Sequence, residues 1–462
     1  MYIKITKELL AEIRRSIADG KDTLLLQLTN DLHPADLAEI INELRPEEAV
    51  YLYRTLDESR AAEVMLELDE DVRNQLLSQL TSREIAEDLI ENIDSDDAAD
   101  VISELPEEKQ EEVIALLEDI ETASDIIDLM NYEEGTAGAL MAKELIFVNI
   151  HWTVVHAIRE MRRQSEDIDN VYTIYVTNDD NVLLGTLSMK TLIFASSSLR
   201  SSITELYSNK QVQTVLTSTP VEEVANLMKK YDLVVIPVVN EDNQLMGRIT
   251  IDDIVDVMQE EADKDYQLAS GISEDVESSD SIWTLTRARL PWLLIGMGGG
   301  LSSAYVIGVY DITENPQMAI FMPLIAATGG NVGVQSAALV VKALANQSEL
   351  DETVWRKLLK ELAVGSFNAL VCSVLIFLTT QLFNFDLSLS ITASIALFSV
   401  IVFASISGTY IPLTLNRFGI DPALATGPFI TTTNDIVGLI IYFGVGHLLL
   451  NFLQTLPLNI FH

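Results

Sequence analysis

Asp435 is a carboxylate inside an otherwise apolar run from about Ala423 to Leu450. That run is long enough to cross a bilayer, where an ionised acid costs roughly 2.5–3.5 kcal/mol on insertion scales. Such a group persists where it meets water, a partner or an ion, so the chemistry it offers is that of a hard oxygen ligand on a cation path. Thr431, Thr432, Thr433 and Asn434 precede it, and a second apolar run, FMPLIAATGGNVGVQSAALV, carries Asn331, Gln335 and Ser336 among Gly329, Gly330 and Gly333. Small residues let membrane helices approach closely, and that accounts for most of the glycines. Asn331, Gln335, Asn434 and Asp435 call for a wet or polar destination instead. The Gly-Gly-Asn and Gly-Pro sequences are places where a helix can break and turn carbonyls toward a cavity.

Other reactive chemistry is missing. No Gly-Lys-Ser/Thr loop is present to cradle a nucleotide phosphate for hydrolysis. The five histidines (His33, His151, His156, His447 and His462) show no zinc or triad spacing, and Cys372 is the only cysteine, so disulfides and Cys-based metal sites are excluded. The sequence does not read as an enzyme.

The elements that must position Asp435 are five apolar runs, at about 291–310, 318–341, 362–385, 387–413 and 423–450. Each is long enough to span a hydrocarbon core of about 30 Å. Arg287 and Arg289 precede the first; Lys342, Arg356, Lys357 and Lys360 lie between the second and third, and Arg417 between the fourth and fifth. The remaining connections hold Asp311, Glu314 and Asp386 and no base. The positive-inside rule then puts the N-terminal half in the cytoplasm and the C-terminus outside. No signal peptide is evident in MYIKITKELLAEIRR, which suits that orientation.

Residues 1–290 carry 61 acidic and 24 basic residues, a formal charge of −37. Such a module repels nucleic acid and anionic lipid surfaces and attracts cations. Its first 135 residues read as a helical array: PADLAEIINELRPEE from Pro34 recurs as SRAAEVMLELDED from Ser59 and SDDAADVISELPEE from Ser95. A second duplication has a period of 62, aligning Gly185 with Gly247, VYTIYVT with LVVIPVV, and TVVHAIREM with PVEEVANLM. The order strand, helix, strand, acid- and Asn-bearing turn, strand, helix defines an α/β unit. This pair resembles tandem CBS domains, regulatory modules that often bind adenosyl ligands.

The whole order resembles the MgtE family of magnesium channels or transporters. The segments that carry the resemblance are KYDLVVIPVVNEDNQLMGRITIDDIVDVMQEEAD, RLPWLL, PLIAATGGNVGVQSAAL and DPALATGPFITTTNDIVGL. It implies a multidomain chain: an all-α helical-repeat domain (1–135), an α/β tandem CBS pair (136–203 and 204–263), a connecting or plug helix (264–290) and an α-helical membrane domain with five transmembrane helices (291–462). It implies a homodimer in the cytoplasmic (inner, plasma) membrane, importing Mg²⁺ along its two-fold axis, with Asp435 in the pathway and Asn331 and the backbone near Ala425–Gly427 as further lining groups. Broader divalent transport (Co²⁺, Ca²⁺, Mn²⁺), or a non-conducting metal or nucleotide sensor, are the alternatives.

The resemblance also implies closure by regulatory Mg²⁺ bound to the cytosolic half. The matching candidates are Asp96 and Asp100 in the helical domain, Glu222, Asp232, Asp253 and Asp256 in the CBS pair, and Glu260 and Glu261 at the start of the connector. Asp253 and Asp256, three apart on a helix, share a face. Lys264 stands between Asp263 and Asp265 where further acids are expected. ATP is a possible ligand of the CBS pair, with no residue set here specific for it.

Overall fold

The computed structural model describes residues 6–165, 168, 170–195, 202–209, 212–273, 276, 280–310, 316–345 and 353–455. Asp311, Glu314 and His462 lie outside the described residues. The chain divides into two compact units, Met1–Met258 and Gln259–His462.

The repeat read from the sequence becomes a repeated way of burying a helix. Pro34–Asn42 buries Leu37, Ala38, Ile40 and Ile41; Glu58–Leu66 buries Ala61, Ala62, Val64 and Met65; Ser95–Ser103, here α1, buries Ala98, Ala99, Val101 and Ile102. Each set follows the same helical spacing, so each short helix lays one stripe on its neighbour. The starts are locally encoded. Pro34 sits at the first helical position, the Asp57 carboxylate accepts from the Arg60 amide at 3.2 Å, and Thr81 with Glu84 forms a capping box. The resulting core runs on into the second α/β repeat, through Val221, Val224, Met228, Ile236, Val238, Ile249 and Ile254.

Two three-stranded sheets follow. In the first, β1 (Ile146–Asn149) pairs parallel with β2 (Ile174–Thr177), which pairs antiparallel with β3 (Leu183–Leu187); α2 (Val154–Gln164) makes the crossover. In the second, β4 (Val215–Leu216), β5 (Val235–Val239) and β6 (Leu245–Thr250) repeat that order around α3 (Val221–Tyr231). The 62-residue period is visible atom by atom. Asn181 and Asn243 both adopt positive φ, at 60° and 58°, as short polar side chains permit. The Asn181 side-chain amide donates to the Leu245 carbonyl at 2.9 Å, and that of Asn243 to the Leu183 carbonyl at 3.0 Å. The two turns therefore clasp one another reciprocally.

α4 (Ile251–Ala269) is one helix running from the second α/β repeat through the expected boundary at 263. α5 (Ile282–Val309) starts well before the expected 291, its polar first turns having hidden it, and holds Pro291 inside. Among the described residues it is the first of five helices long and apolar enough to cross a membrane. The others are the segment Pro316–Leu344, most of it α6 (Met322–Ala345); α7 (Val354–Leu382); α8 (Leu387–Arg417); and Pro428–Leu449 within α9 (Pro428–Thr455). α8 buries Ala393, Ala396, Leu397, Val400, Ile401 and Ala404 at the centre of the bundle's core.

Candidate cation sites

In the first unit, the run Asp94-Ser95-Asp96-Asp97 opens α1, with Asp94 as its N-cap. Ser95 ties the helix start to a loop of the first α/β repeat. Its amide and hydroxyl donate to the two Glu144 carboxylate oxygens at 3.2 and 2.9 Å, and its Oγ accepts from the Lys143 amide at 2.9 Å. This brings one oxygen each of Asp94, Asp96 and Glu144 within 4.8 Å of one another. From the second repeat, Asp253 repels Asp96 and Asp97, and the Thr250 amide and hydroxyl donate to its Oδ2 at 3.0 and 2.6 Å, fixing it at the first turn of α4.

The electrostatics are dominated by burial and by repulsion among neighbouring acids. Asp96 Oδ1 is sealed from solvent and has no hydrogen-bond partner among the described residues. Burial pushes the Asp96 carboxyl well above its ordinary range, and Asp97, Asp253, Asp94 and Glu144 push the same way. Asp97 is raised to about 7 by burial, then by Asp253, Asp94, Asp100 and Glu144. Asp256 is raised by burial and by Asp253 and Asp252. A shared hard cation would offset the repulsion among these carboxylates, since Mg²⁺ and Ca²⁺ take carboxylate oxygens and tolerate retained water.

Of the sequence candidates, the fold thus gathers Asp96, Asp100 and Asp253, with Asp256 on the same helix. Glu222, in the first turn of α3, and Asp232, its left-handed C-cap (φ 51°), are exposed and are not among the acids pressing on Asp96 or Asp97. Glu260 and Glu261 lie further along α4, and Lys264 approaches Glu261 at 3.7 Å. Asp94, Asp97 and Glu144 were not among the candidates; the DSDD run was the available signal for the first two. Asp265 is raised by burial, then by Asp421 and Glu261, with Lys264 opposing.

In the second unit, Asp435 lies partly buried on α9, its Oδ1 3.6 Å from where a Cβ on Gly330 of α6 would sit. Among the described residues it has no hydrogen bond or ion pair. Asn331, beside Gly330, is exposed. Asn434 has a different fate: it is 1 % exposed, accepts from Ser407 Oγ at 2.9 Å and donates to the Gly329 carbonyl at 3.4 Å. Its polar destination is protein, so it locks α9 to α8 and α6. Gly333 makes room for it, for a Cβ there would overlap Asn434 Nδ2. The entry to α9 is equally close-fitting. Gly427 (φ 53°) turns against the Ala269 carbonyl that ends α4, and a Cβ on Gly271 (φ 80°) would come within 2.6 Å of Pro428.

Among the described residues, an acidic helical array with two α/β repeats is followed by five membrane-length helices, the architecture of a multi-pass membrane protein. Family models match along the chain: "MgtE intracellular N domain" at 32–135, CBS domains at 137–198 and 203–260, and the MgtE "Divalent cation transporter" at 322–445. The magnesium transporter MgtE of Bacillus subtilis (strain 168) is 33% identical over 319 residues, 69% of this chain and 70% of that relative. That of Thermus thermophilus is 37% identical over 327 residues, 70% and 72% respectively. A crystal structure of the cytosolic domain of the Mg²⁺ channel MgtE in complex with ATP aligns at 33% identity and a TM-score of 0.49, over 54% of this chain and 99% of that one. The chain belongs to the MgtE family.

Proposed function

We propose that this chain is a homodimeric pathway carrying Mg²⁺ across the cytoplasmic membrane, with its acidic half inside, and that Mg²⁺ binding to that half closes it. The observation that carries the reading is Asp435, a carboxylate on α9 facing Gly330 of α6 within a membrane-length helix, with no hydrogen bond or ion pair among the described residues. A bare acid there is stabilised by water or a passing cation. Mg²⁺ dehydrates reluctantly, so one or two carboxylates that act through its retained waters suffice. Two copies of Asp435 across a two-fold axis supply them. The names of the relatives support Mg²⁺ as the cargo, and the Asp94–Asp96–Glu144 cluster supports the sensing half. ATP at the CBS pair would tune the response.

The test is Mg²⁺ uptake into proteoliposomes containing an internal Mg²⁺ dye, with wild type beside Asp435→Asn. Uptake by wild type and its loss in a variant that still dimerises is the expected result. Undiminished flux through the variant would remove Asp435 from the pathway, and absence of uptake in both would favour a non-conducting sensor. Repeating the assay with Co²⁺, Mn²⁺ and Ca²⁺ separates a Mg²⁺-selective path from a broader one.

A further inference from the structure

Arg248 places a positive charge against the acidic cluster in an unusual way. It lies on β6, 6 % exposed, opposite Pro237 of β5 on one side. On the other side its amide donates to the Ala142 carbonyl at 2.9 Å and its carbonyl accepts from the Ala142 amide at 2.8 Å. The backbone is held from both sides, so the guanidinium cannot retreat far. Nη2 donates to Asp94 Oδ2 at 3.2 Å, Nη1 reaches the Asn170 carbonyl at 3.5 Å, and the group lies 5.5 Å from the centroid of the Tyr172 ring. Among the described residues its buried Nε has no hydrogen-bond partner. Lys143, the base adjacent in sequence to Glu144, is turned to Asp128 at 2.6 Å.

Asp94 is also one of the three carboxylates whose oxygens converge within 4.8 Å. It therefore has two claimants, the guanidinium and any cation that enters the cluster. We propose that Arg248 is the resident counter-ion of the cluster and sets the divalent-cation concentration at which the cluster fills. It engages Asp94 when the ion is scarce, and its charge opposes the ion's entry. This inference rests on the reading of the cluster as a divalent-cation site.

The experiment uses the full-length protein in detergent, titrated with Mg²⁺ alone, and reads protection of the soluble half from limited proteolysis. Arg248→Met makes the cluster more negative by one charge and moves the protection midpoint to lower Mg²⁺ by about tenfold, equivalent to roughly 1.4 kcal/mol. Asp94→Asn leaves the guanidinium uncompensated and moves it to higher Mg²⁺. The double variant restores the charge balance but still lacks the Asp94 carboxylate, so its midpoint falls between those of wild type and Asp94→Asn. Arg248 is buried while Asp94 is half-exposed, and replacing both partners of such a pair together avoids leaving a buried charge unmatched, so the double variant remains informative where Arg248→Met alone does not fold. An unmoved or raised midpoint in Arg248→Met, or a double variant that behaves as Asp94→Asn, overturns the proposal while leaving the cluster reading standing. Wild type lacking any Mg²⁺-dependent protection refutes the cluster reading and the proposal with it.

Discussion

Asp97→Asn tests whether acidic repulsion governs the first unit. With its carboxyl raised from 3.8 to about 7, the folded state holds a proton that the open or unfolded state releases. Stability therefore falls as pH rises from about 4 through about 7, because over that window the folded form binds more protons. At pH 8 the ionised carboxylate opposes the compact arrangement by up to about 4 kcal/mol, at 1.36 kcal/mol per pH unit. Swinging the helical array away from the α/β repeats would relieve the repulsion without unfolding, so the effect appears as local opening. Even a third of it changes the open population about tenfold. The assay is limited proteolysis in EDTA at pH 6 and pH 8, where cleavage follows the open population when reclosing is fast. Wild type is cleaved faster at pH 8 than at pH 6; Asp97→Asn is slow at both. A variant cleaved as fast as wild type at pH 8, or a wild type indifferent to pH, refutes the reasoning.

Neutralising Asp253 and Asp256 together raises the cytosolic Mg²⁺ needed to inhibit flux in proteoliposomes, and unchanged inhibition rejects these two as sensor residues. Gly333→Ala displaces the Asn434 side chain from Ser407 and from the Gly329 carbonyl. Leaving those buried polar groups unmatched costs about 1–3 kcal/mol, so the thermal midpoint in detergent drops by several degrees. A variant as stable as wild type would show that α6 and α9 are not locked through Asn434.

Architecture was legible because it is written in periodicity. The buried Leu37-Ala38-Ile40-Ile41 pattern recurs at Ala61 and Ala98, and the 62-residue spacing of Asn181 and Asn243 became a pair of interlocking turns. The site was legible only in part. Asp96 and Asp253 stand in recognisable motifs, but Glu144 is a single acid in LMAKELIFV, and nothing local shows that Ser95 will grip it. Arg248 reads as an ordinary alternating strand residue; only the register of β6 brings it to Asp94, 154 positions away. Asn434 and Asp435 are neighbours of similar polarity, yet helical geometry buries one in protein partners and leaves the other unpaired.

These placements explain why the proposed switch needs a ligand. Apolar packing joins the helical array to the second α/β repeat through one continuous core, favouring the compact form. Against it stand Asp94, Asp96, Asp97, Asp100, Glu144 and Asp253, with the Arg248 guanidinium paired to Asp94. A cation can shift such a balance only by binding one arrangement better than the other. The compact form presents three carboxylate oxygens within 4.8 Å, contributed by the helical array and by the loop before β1. In the proposed switch, separating those elements would dismantle the ligand set, so affinity for the ion and closure of the module would be the same free energy read from two sides.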